Sequence, residues 1–262
     1  MAKAVTSTRT RIDSKLVRVA GLPAVTALFA TTPSRVERLF FADELKSSVG
    51  TFCTMLARAR KPYRLVASEE LERIAGSVLH GGIVALMQPR PISDFDPAEL
   101  TGARDARLLL LLDGISNPHN LGAIARTAAF FGLPRIVLSD HSAQALPSGA
   151  SYRVAEGGLE YVELYRGVGF IQTLGKLRHS HLLVGATAEG GRSIETLRRS
   201  ERPIALVLGN EEKGLRPATL KACDEIVTIP GSGHVQSLNV AASAAILIYA
   251  LTLPLDGRRR NK

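Results

Sequence analysis

The stretch RLLLLLDGISNPHNLGAIARTA, residues 107–128, contains five consecutive leucines, then a short polar segment, then an alanine-containing apolar pattern. A continuous apolar run of this length is typical of a strand buried on both faces, as in a parallel sheet. We therefore predict a strand at 107–114 and a helix at 120–131. Together they form the first strand–helix pair of an α/β fold.

The same alternation of apolar runs and helical patterns continues towards the end of the chain. The predicted strands are 135–140, 181–189, 203–210 and 225–230, and the predicted helices are 169–180, 217–223 and 239–251. Strands that alternate with helices indicate a parallel sheet, in which ligands bind at the carboxyl ends of the strands.

Residues 87–106 separate this pattern from the first part of the chain. The segment has three prolines and alternating charges, which is typical of a linker. Before it, the sequence predicts strands at 35–42 and 81–88 and a helix at 46–61. We divide the chain into an amino-terminal unit (1–95), a linker (96–106) and a second unit (107–262).

Composition limits the class of protein. The chain has 262 residues, of which 45% are hydrophobic, enough for one large or two ordinary domains. No apolar run approaches the ~20 residues of a membrane span, and Cys53 and Cys223 lie far apart, as in a reducing compartment. We expect a soluble, cytoplasmic protein without a membrane partner. The histidines and cysteines form no ligand-spaced cluster, so no metal is predicted.

Charge indicates the partner. The net charge is +9, and basic residues concentrate in three places. These are Lys3, Arg9, Arg11, Lys15 and Arg18; then Arg58, Arg60, Lys61 and Arg64 around Tyr63; then Arg258, Arg259, Arg260 and Lys262. A solvated basic face is one interpretation, and a nucleic acid partner is the favoured one. Trp is absent and aromatics make up 5%, which argues against a broad base-stacking surface.

Three of the predicted strands end in loops with unusual polar residues. The loops are DGISNPHNLGAIARTA (113–128), GNEEKGL (209–215) and IPGSGHVQSLNV (229–240). A local interpretation remains open for each: Asn120 as a helix N-cap with Arg126 on the surface, Glu211 and Lys213 in a plain turn, and Ser237 or Asn239 as the cap of the last helix.

The third loop begins like a nucleotide-binding loop but lacks the residues for one. No Lys or Arg lies between 229 and 250, so a phosphate-binding loop is excluded. Gln236 stands where a dinucleotide fingerprint needs its third glycine, which disfavours a dehydrogenase.

Taken together, the three loops resemble the SpoU (TrmH) family of RNA ribose 2′-O-methyltransferases. That family has the motifs N-x-G-x-x-x-R, L-G-N-E-x-x-G-L and I-P-x-x-x-x-x-x-S-L-N-V. The chain matches them in order at 120–126, 208–215 and 229–240, and the resemblance spans 107–252. More loosely, the amino-terminal unit is similar to the small ribosomal-protein-like RNA-binding domain of this family, with Gly21 near its start and His80 near its end.

The resemblance implies a parallel sheet with a C-terminal trefoil knot of the SPOUT type, a homodimer, S-adenosylmethionine as cofactor and an RNA partner, either rRNA or tRNA. The positions that match the family's active-site residues are Asn120, Arg126, Glu211, Ser237 and Asn239. The positions that match its cofactor contacts are Leu208, Gly209, Asn210, Ile229, Leu238 and Asn239. Backbone contacts are implied for Gly209, Ile229 and Leu238, so Gly209 is expected to leave room for the ligand.

The resemblance also implies roles. Family accounts make Arg126 a general base, whereas a guanidinium, which stays protonated, is better suited to grip a phosphate and stabilise the developing oxyanion. Glu211 is expected to orient Arg126. The segment 155–158 departs from the Ser-x-Gly-Ala-like stretch of many members and borders the substrate cleft. An inactive RNA-binding or ribosome-assembly factor with the same fold is the alternative.

Overall fold

A computed structural model describes residues 16–100, 108–197 and 202–252. The predicted basic clusters at 3–15 and 258–262 lie outside these ranges, as does the 101–106 part of the predicted linker. The described residues form two sheets, one of four strands and one of eight.

The amino-terminal unit is a mixed four-stranded sheet with three helices. Its elements are β1 (Val17–Ala20), α1 (Leu22–Thr31), β2 (Val36–Phe41), α2 (Gly50–Arg58), β3 (Tyr63–Leu65), α3 (Ser68–Ala75) and β4 (Ile83–Met87). The order is β1-β4-β2-β3, with β4 antiparallel to β1 and β2, and β2 parallel to β3. All five residues of β4 are buried, so this strand is the centre of the unit.

The second unit contains the eight-stranded sheet. Its elements are β5 (Ser93–Asp94), β6 (Leu108–Asp113), α4 (Pro118–Phe130), β7 (Arg135–Ser139), α5 (Gly149–Ala155), α6 (Gly158–Tyr161), β8 (Glu163–Gly167), α7 (Phe170–Leu177), β9 (Leu182–Ala186), β10 (Arg192–Ser193), β11 (Ile204–Gly209), α8 (Pro217–Ala222), β12 (Glu225–Thr228) and α9 (Val240–Thr252). The order is β10-β12-β9-β11-β6-β7-β8-β5, and every pairing in the described ranges is parallel.

The leucine run is the middle of this sheet. Every residue of β6 is buried, because alternate leucines pack in two different cores. Leu110 faces a core that includes residues of α4 and α9, whereas Leu111 faces a core that includes residues of α7. The strand on its other side, β11, is buried throughout as well. The predicted parallel α/β sheet is confirmed.

Some predicted boundaries differ from the structure. The segment 87–106, predicted as a linker, contains β5, which pairs with β8 at the edge of the large sheet. The structural change of sheet therefore falls before Ser93 rather than at residue 95. The sequence patterns also gave no prediction for β1, α1, β3, α3, α5, α6, β8 and β10, most of which are short or have mixed polarity.

The two units pack against each other around one buried carboxylate. The side chain of Glu160 in α6 is 1% exposed and accepts hydrogen bonds from Thr31, Thr32 and Arg35 of the amino-terminal unit. Arg90, just after β4, donates to the backbone carbonyls of Leu159 and Val162. A buried charge is tolerated only when it is paired and hydrogen-bonded, so these contacts fix the first unit on the second.

Candidate active site

One chain of side-chain hydrogen bonds joins the three loops with family motifs at the carboxyl edge of the sheet. Asn239, before α9, donates through Nδ2 to Oδ1 of Asn120 at 3.1 Å. Asn120, in α4, donates through Nδ2 to Oε1 of Glu211 at 2.9 Å. These residues follow β12, β6 and β11 respectively. Loops 91 and 119 residues apart in sequence thus share one hydrogen-bonded set.

Glu211 is the acceptor at the end of this chain. Its carboxylate accepts hydrogen bonds from the backbone N–H groups of Ser116 at 3.0 Å and Asn117 at 3.1 Å, and from the hydroxyl of Ser116 at 3.0 Å. Burial alone would raise the pKa of Glu211, but the hydrogen bonds from Ser116, Asn120 and Asn117 outweigh it and lower the pKa below its ordinary value. Glu211 is therefore ionised, and its hydrogen bonds hold the loops together.

The local interpretations of the asparagines are partly right. The N-cap of α4 is Asn117 rather than Asn120, since the Asn117 side chain accepts from the backbone N–H of His119. Asn120 lies inside the helix and is 8% exposed, with its amide fixed by a partner on each side. Asn239 does cap α9, accepting from Ala241 N–H at 2.8 Å, while its amino group reaches Asn120.

The loop after β11 closes on itself. Asn210 and Gly214 exchange two backbone hydrogen bonds, and the Asn210 side chain donates to the carbonyl of Gly114 at 2.7 Å. A Cβ on Gly209 would lie 2.3 Å from the carbonyl carbon of Gly214 and 2.4 Å from the nitrogen of Leu215. Gly209 is thus required by the chain's own backbone, and a larger residue there would distort the loop whether or not a ligand is bound. Leu208 is buried in the core.

Arg126 lies apart from this hydrogen-bonded set. Its Nη2 pairs with Oε2 of Glu156 at 2.9 Å, and its side chain is 55% exposed. The expectation that Glu211 orients Arg126 is wrong, because the described donors to the Glu211 carboxylate are Ser116, Asn117, Asn120 and Asn210. Arg126 comes six residues after Asn120, so it points about 120° away around the helix axis.

The loop between β12 and α9 is exposed and contains no Lys or Arg. Ile229 is half-buried, Leu238 is 47% exposed, and Ser237 is exposed without a hydrogen bond to the other predicted site residues. Among the described residues, the backbone of 230–238 makes a single intramolecular hydrogen bond, from His234 N–H to Ser232. These free amides and carbonyls fit S-adenosylmethionine, which has no phosphate and whose sulfonium a cation would repel.

A cavity of about 370 Å³ lies beside the 209–215 loop. Its lining includes Asp113, His141 and Arg216 but no residue of 229–239, so the predicted cofactor loop does not form it. The buried Asp113 pairs with Nη2 of Arg216 at 2.7 Å and accepts from Thr219 at 2.6 Å. This pair was not predicted from the sequence, although an acid directly after five leucines was a visible signal.

Three further observations concern metal ions, thiols and membrane spans in the described part of the chain. It holds no group of three or more His, Cys, Asp and Glu side chains arranged for a metal ion. Cys53 and Cys223 are free thiols, and burial raises the pKa of Cys223 to about 12, which keeps it protonated. None of the helices in the described ranges has both the length and the apolar character needed to cross a membrane.

Comparisons with known proteins agree with the motifs. Residues 107–249 match the SpoU rRNA methylase family, and residues 18–92 match the family of RNA 2′-O ribose methyltransferase substrate-binding domains.

Among the relatives, the 23S rRNA (guanosine-2′-O-)-methyltransferase RlmB of Acinetobacter baylyi is 33% identical over 237 residues, 87% of this chain and 94% of that protein. The uncharacterized tRNA/rRNA methyltransferase YfiF of Escherichia coli O157:H7 is 33% identical over 88% of this chain and 66% of its own length. The AdoMet-bound rRNA methyltransferase from Sinorhizobium meliloti has the same fold, with a TM-score of 0.73, 20% identity, and coverage of 90% and 87%.

The parallel sheet, the three joined loops and these matches define the class: an S-adenosylmethionine-dependent RNA methyltransferase that acts on a ribose 2′-hydroxyl. Within that class, the chain belongs to the SpoU rRNA methylase family.

Proposed function

We propose that this enzyme methylates the ribose 2′-hydroxyl of a guanosine in 23S rRNA. The hydrogen-bond chain from Asn239 through Asn120 to Glu211 is the observation on which the proposal rests, since it assembles the three motif loops into one site. The relative of Acinetobacter baylyi, similar over nearly its full length, supports 23S rRNA and guanosine as the target.

The residues divide into three roles in this proposal. Asn120, Glu211 and Asn239 hold the loops in register. The cofactor is held by Leu208, Gly209, Asn210, Ile229, Leu238 and Asn239, with backbone contacts from Gly209, Ile229 and Leu238, and Ser237 lies beside the reacting ribose. When bound, S-adenosylmethionine supplies a methyl group activated by a sulfonium.

Arg126 grips a phosphate of the RNA and stabilises the charge that develops on the 2′-oxygen. Because a guanidinium is always protonated, we assign it this role rather than that of a base.

The C-terminal segment forms a trefoil knot in this proposal. Helix α9 packs against β6 and β11 and also against the segment 194–196, which belongs to the loop before β11. Contact of the last described helix with both the sheet and an earlier loop supports such threading.

The proposed division of labour assigns RNA recruitment to the amino-terminal unit and chemistry to the unit that begins at residue 107. Arg58 and Arg60 are exposed and available to RNA. Lys61 is engaged instead, because its Nζ donates to the backbone carbonyls of Ser34 and Val36. His80 is buried and accepts from Gly82 N–H, which favours a structural role.

We further propose that the enzyme is a cytoplasmic homodimer with each active site near the interface. Phe130 on α4 and Tyr249 on α9 are 83% and 53% exposed, and Phe131 between them contacts both rings. Arg126 and Phe130 are four residues apart and therefore share a face of α4. A shared apolar surface next to Arg126 supports an interface at this place.

The choice of RNA is tested by methyl transfer from tritiated S-adenosylmethionine to purified, unmodified 23S rRNA and to total tRNA. We expect incorporation into 23S rRNA that saturates at one methyl per molecule, and background incorporation into tRNA. Arg126→Ala, with an unchanged fold and cofactor affinity, should reduce the rate to background. Saturating incorporation into tRNA alone would contradict the proposed target.

A further inference from the structure

The segment 155–158, which departs from the family pattern, contacts Arg126 directly. Oε2 of Glu156 forms an ion pair with Nη2 of Arg126 at 2.9 Å, and the two side chains are 48% and 55% exposed. An ion pair this exposed contributes little to folding stability. Its geometry, however, orients one edge of a planar guanidinium whose other donors stay open to solvent.

The backbone of this segment cannot move easily. Glu156 ends α5 with a φ of 45°, a left-handed conformation that residues other than glycine rarely adopt. The next two residues are glycines in very close contacts. A Cβ on Gly157 would lie 2.7 Å from the Cβ of Ala27 in α1, and a Cβ on Gly158 would lie 2.7 Å from the Cα of Arg126. The segment is therefore packed between the amino-terminal unit and α4.

Strained backbone that the surrounding structure holds in place tends to occur where function requires a fixed geometry. Here the strain lies at Glu156, the residue whose carboxylate pairs with Arg126 within the described ranges. Glu156, the partner of Arg126, thus directly precedes the glycine that packs against the amino-terminal unit. The direction of the guanidinium is therefore set relative to both units.

We propose that Glu156 is a positioning residue for Arg126: its carboxylate holds the guanidinium ready for a phosphodiester of the substrate RNA. This inference rests on the proposed role of Arg126. A free arginine side chain has many rotamers, and fixing it before RNA binds removes an entropic cost that would otherwise fall on the reaction.

The test is the kinetics of Glu156→Gln on 23S rRNA, with Glu163→Gln as the matched control. Glu163 is a similarly exposed glutamate that pairs with Arg135, on β8 and β7. We expect kcat of Glu156→Gln to fall about tenfold, because small misplacements of a substrate-positioning group are costly. KM for RNA should stay equal or fall, since a negative charge next to RNA is removed. Thermal midpoint and cofactor affinity should match the control.

Three outcomes would overturn the inference. The first is a kcat equal to that of Glu163→Gln. The second is a raised KM at unchanged kcat, which would indicate RNA binding rather than positioning. The third is a lowered thermal midpoint that accounts for the lost activity.

The Arg126→Ala variant separates this inference from the proposed function. If Arg126→Ala alone keeps full activity, the proposed role of Arg126 fails. If Arg126→Ala is inactive while Glu156→Gln is not impaired, only the positioning role fails.

Discussion

Within the hydrogen-bonded set of the site, Glu211 contacts more residues than Asn120 or Asn239 does. Its carboxylate holds the backbone at Ser116 and Asn117 and the side chain of Asn120. The motif correctly brought Glu211 and Asn120 to attention, but not their contact, because the residues are 91 positions apart. The role assigned to Glu211 was wrong for the same reason: sequence spacing does not show which donors surround a carboxylate.

Glu211→Gln should destabilise the fold by about 1–3 kcal/mol. The NH2 group of the new amide would face backbone N–H groups that now donate to the carboxylate, and donors cannot bond to each other. Urea unfolding at pH 7 measures this loss, and Glu212→Gln is the control on an exposed neighbour. The pKa of Glu211 is lowered in the folded state from an ordinary 4.5. Its stabilisation is therefore complete above pH 4.5 and is lost as pH falls through the folded value. A difference between wild type and variant that stays constant on acidification would contradict this assignment.

At the scale of elements, the buried apolar strands were predictable, whereas the short mixed elements and the apolar helix α1 were not. Strands β6 and β11 are buried throughout and so appear in the sequence as unbroken apolar runs. Strand β8, ELYRG, lies near the sheet edge with mixed exposure, and α5 and α6 are held by packing at glycines. Gly122 is an example of what sequence patterns do not show. A Cβ added at Gly122 would lie 2.4 Å from the carbonyl oxygen of Ser151, a contact that only the fold reveals.

The exposed apolar face of α4 and α9 gives a prediction about assembly. We expect light scattering to give twice the 28.1 kDa of one chain at micromolar concentration. Tyr249→Glu should shift the mass towards that of the monomer, because burying an unpaired carboxylate in an interface is costly. Tyr161→Glu is the control, since Tyr161 is also exposed but lies on α6. A monomer in the wild type, or an equal effect of both variants, would contradict an interface at this face.

At the scale of the whole molecule, the two units are less separate than the sequence indicated. Besides the contacts to Glu160, a Cβ on Gly149 in α5 would lie 2.8 Å from the carbonyl oxygen of Arg18 in β1. Removing residues 1–95 would therefore strip the buried Glu160 of its donors. A truncation would disturb the catalytic unit as well as RNA recruitment, so point variants at the contact are the better probe.

Arg35→Ala should destabilise the protein by about 3–5 kcal/mol, because it leaves the buried carboxylate of Glu160 without its charged partner. The control is Arg192→Ala, which breaks the exposed pair with Glu225 and should cost about 0–1 kcal/mol. Equilibrium unfolding in urea gives both values. Equal costs for the two variants would mean that the contact between the units contributes little to stability.

The chemical position of the transferred methyl group tests the central claim most directly. After incubation of 23S rRNA with the enzyme and labelled S-adenosylmethionine, the RNA is digested to nucleosides and analysed by mass spectrometry. The three motif loops predict label on a ribose 2′-oxygen, the proposed target predicts that this ribose belongs to guanosine alone, and no label is expected after incubation with Arg126→Ala. Label on a base, or label in 2′-O-methylguanosine at wild-type rate with Arg126→Ala, would contradict the account.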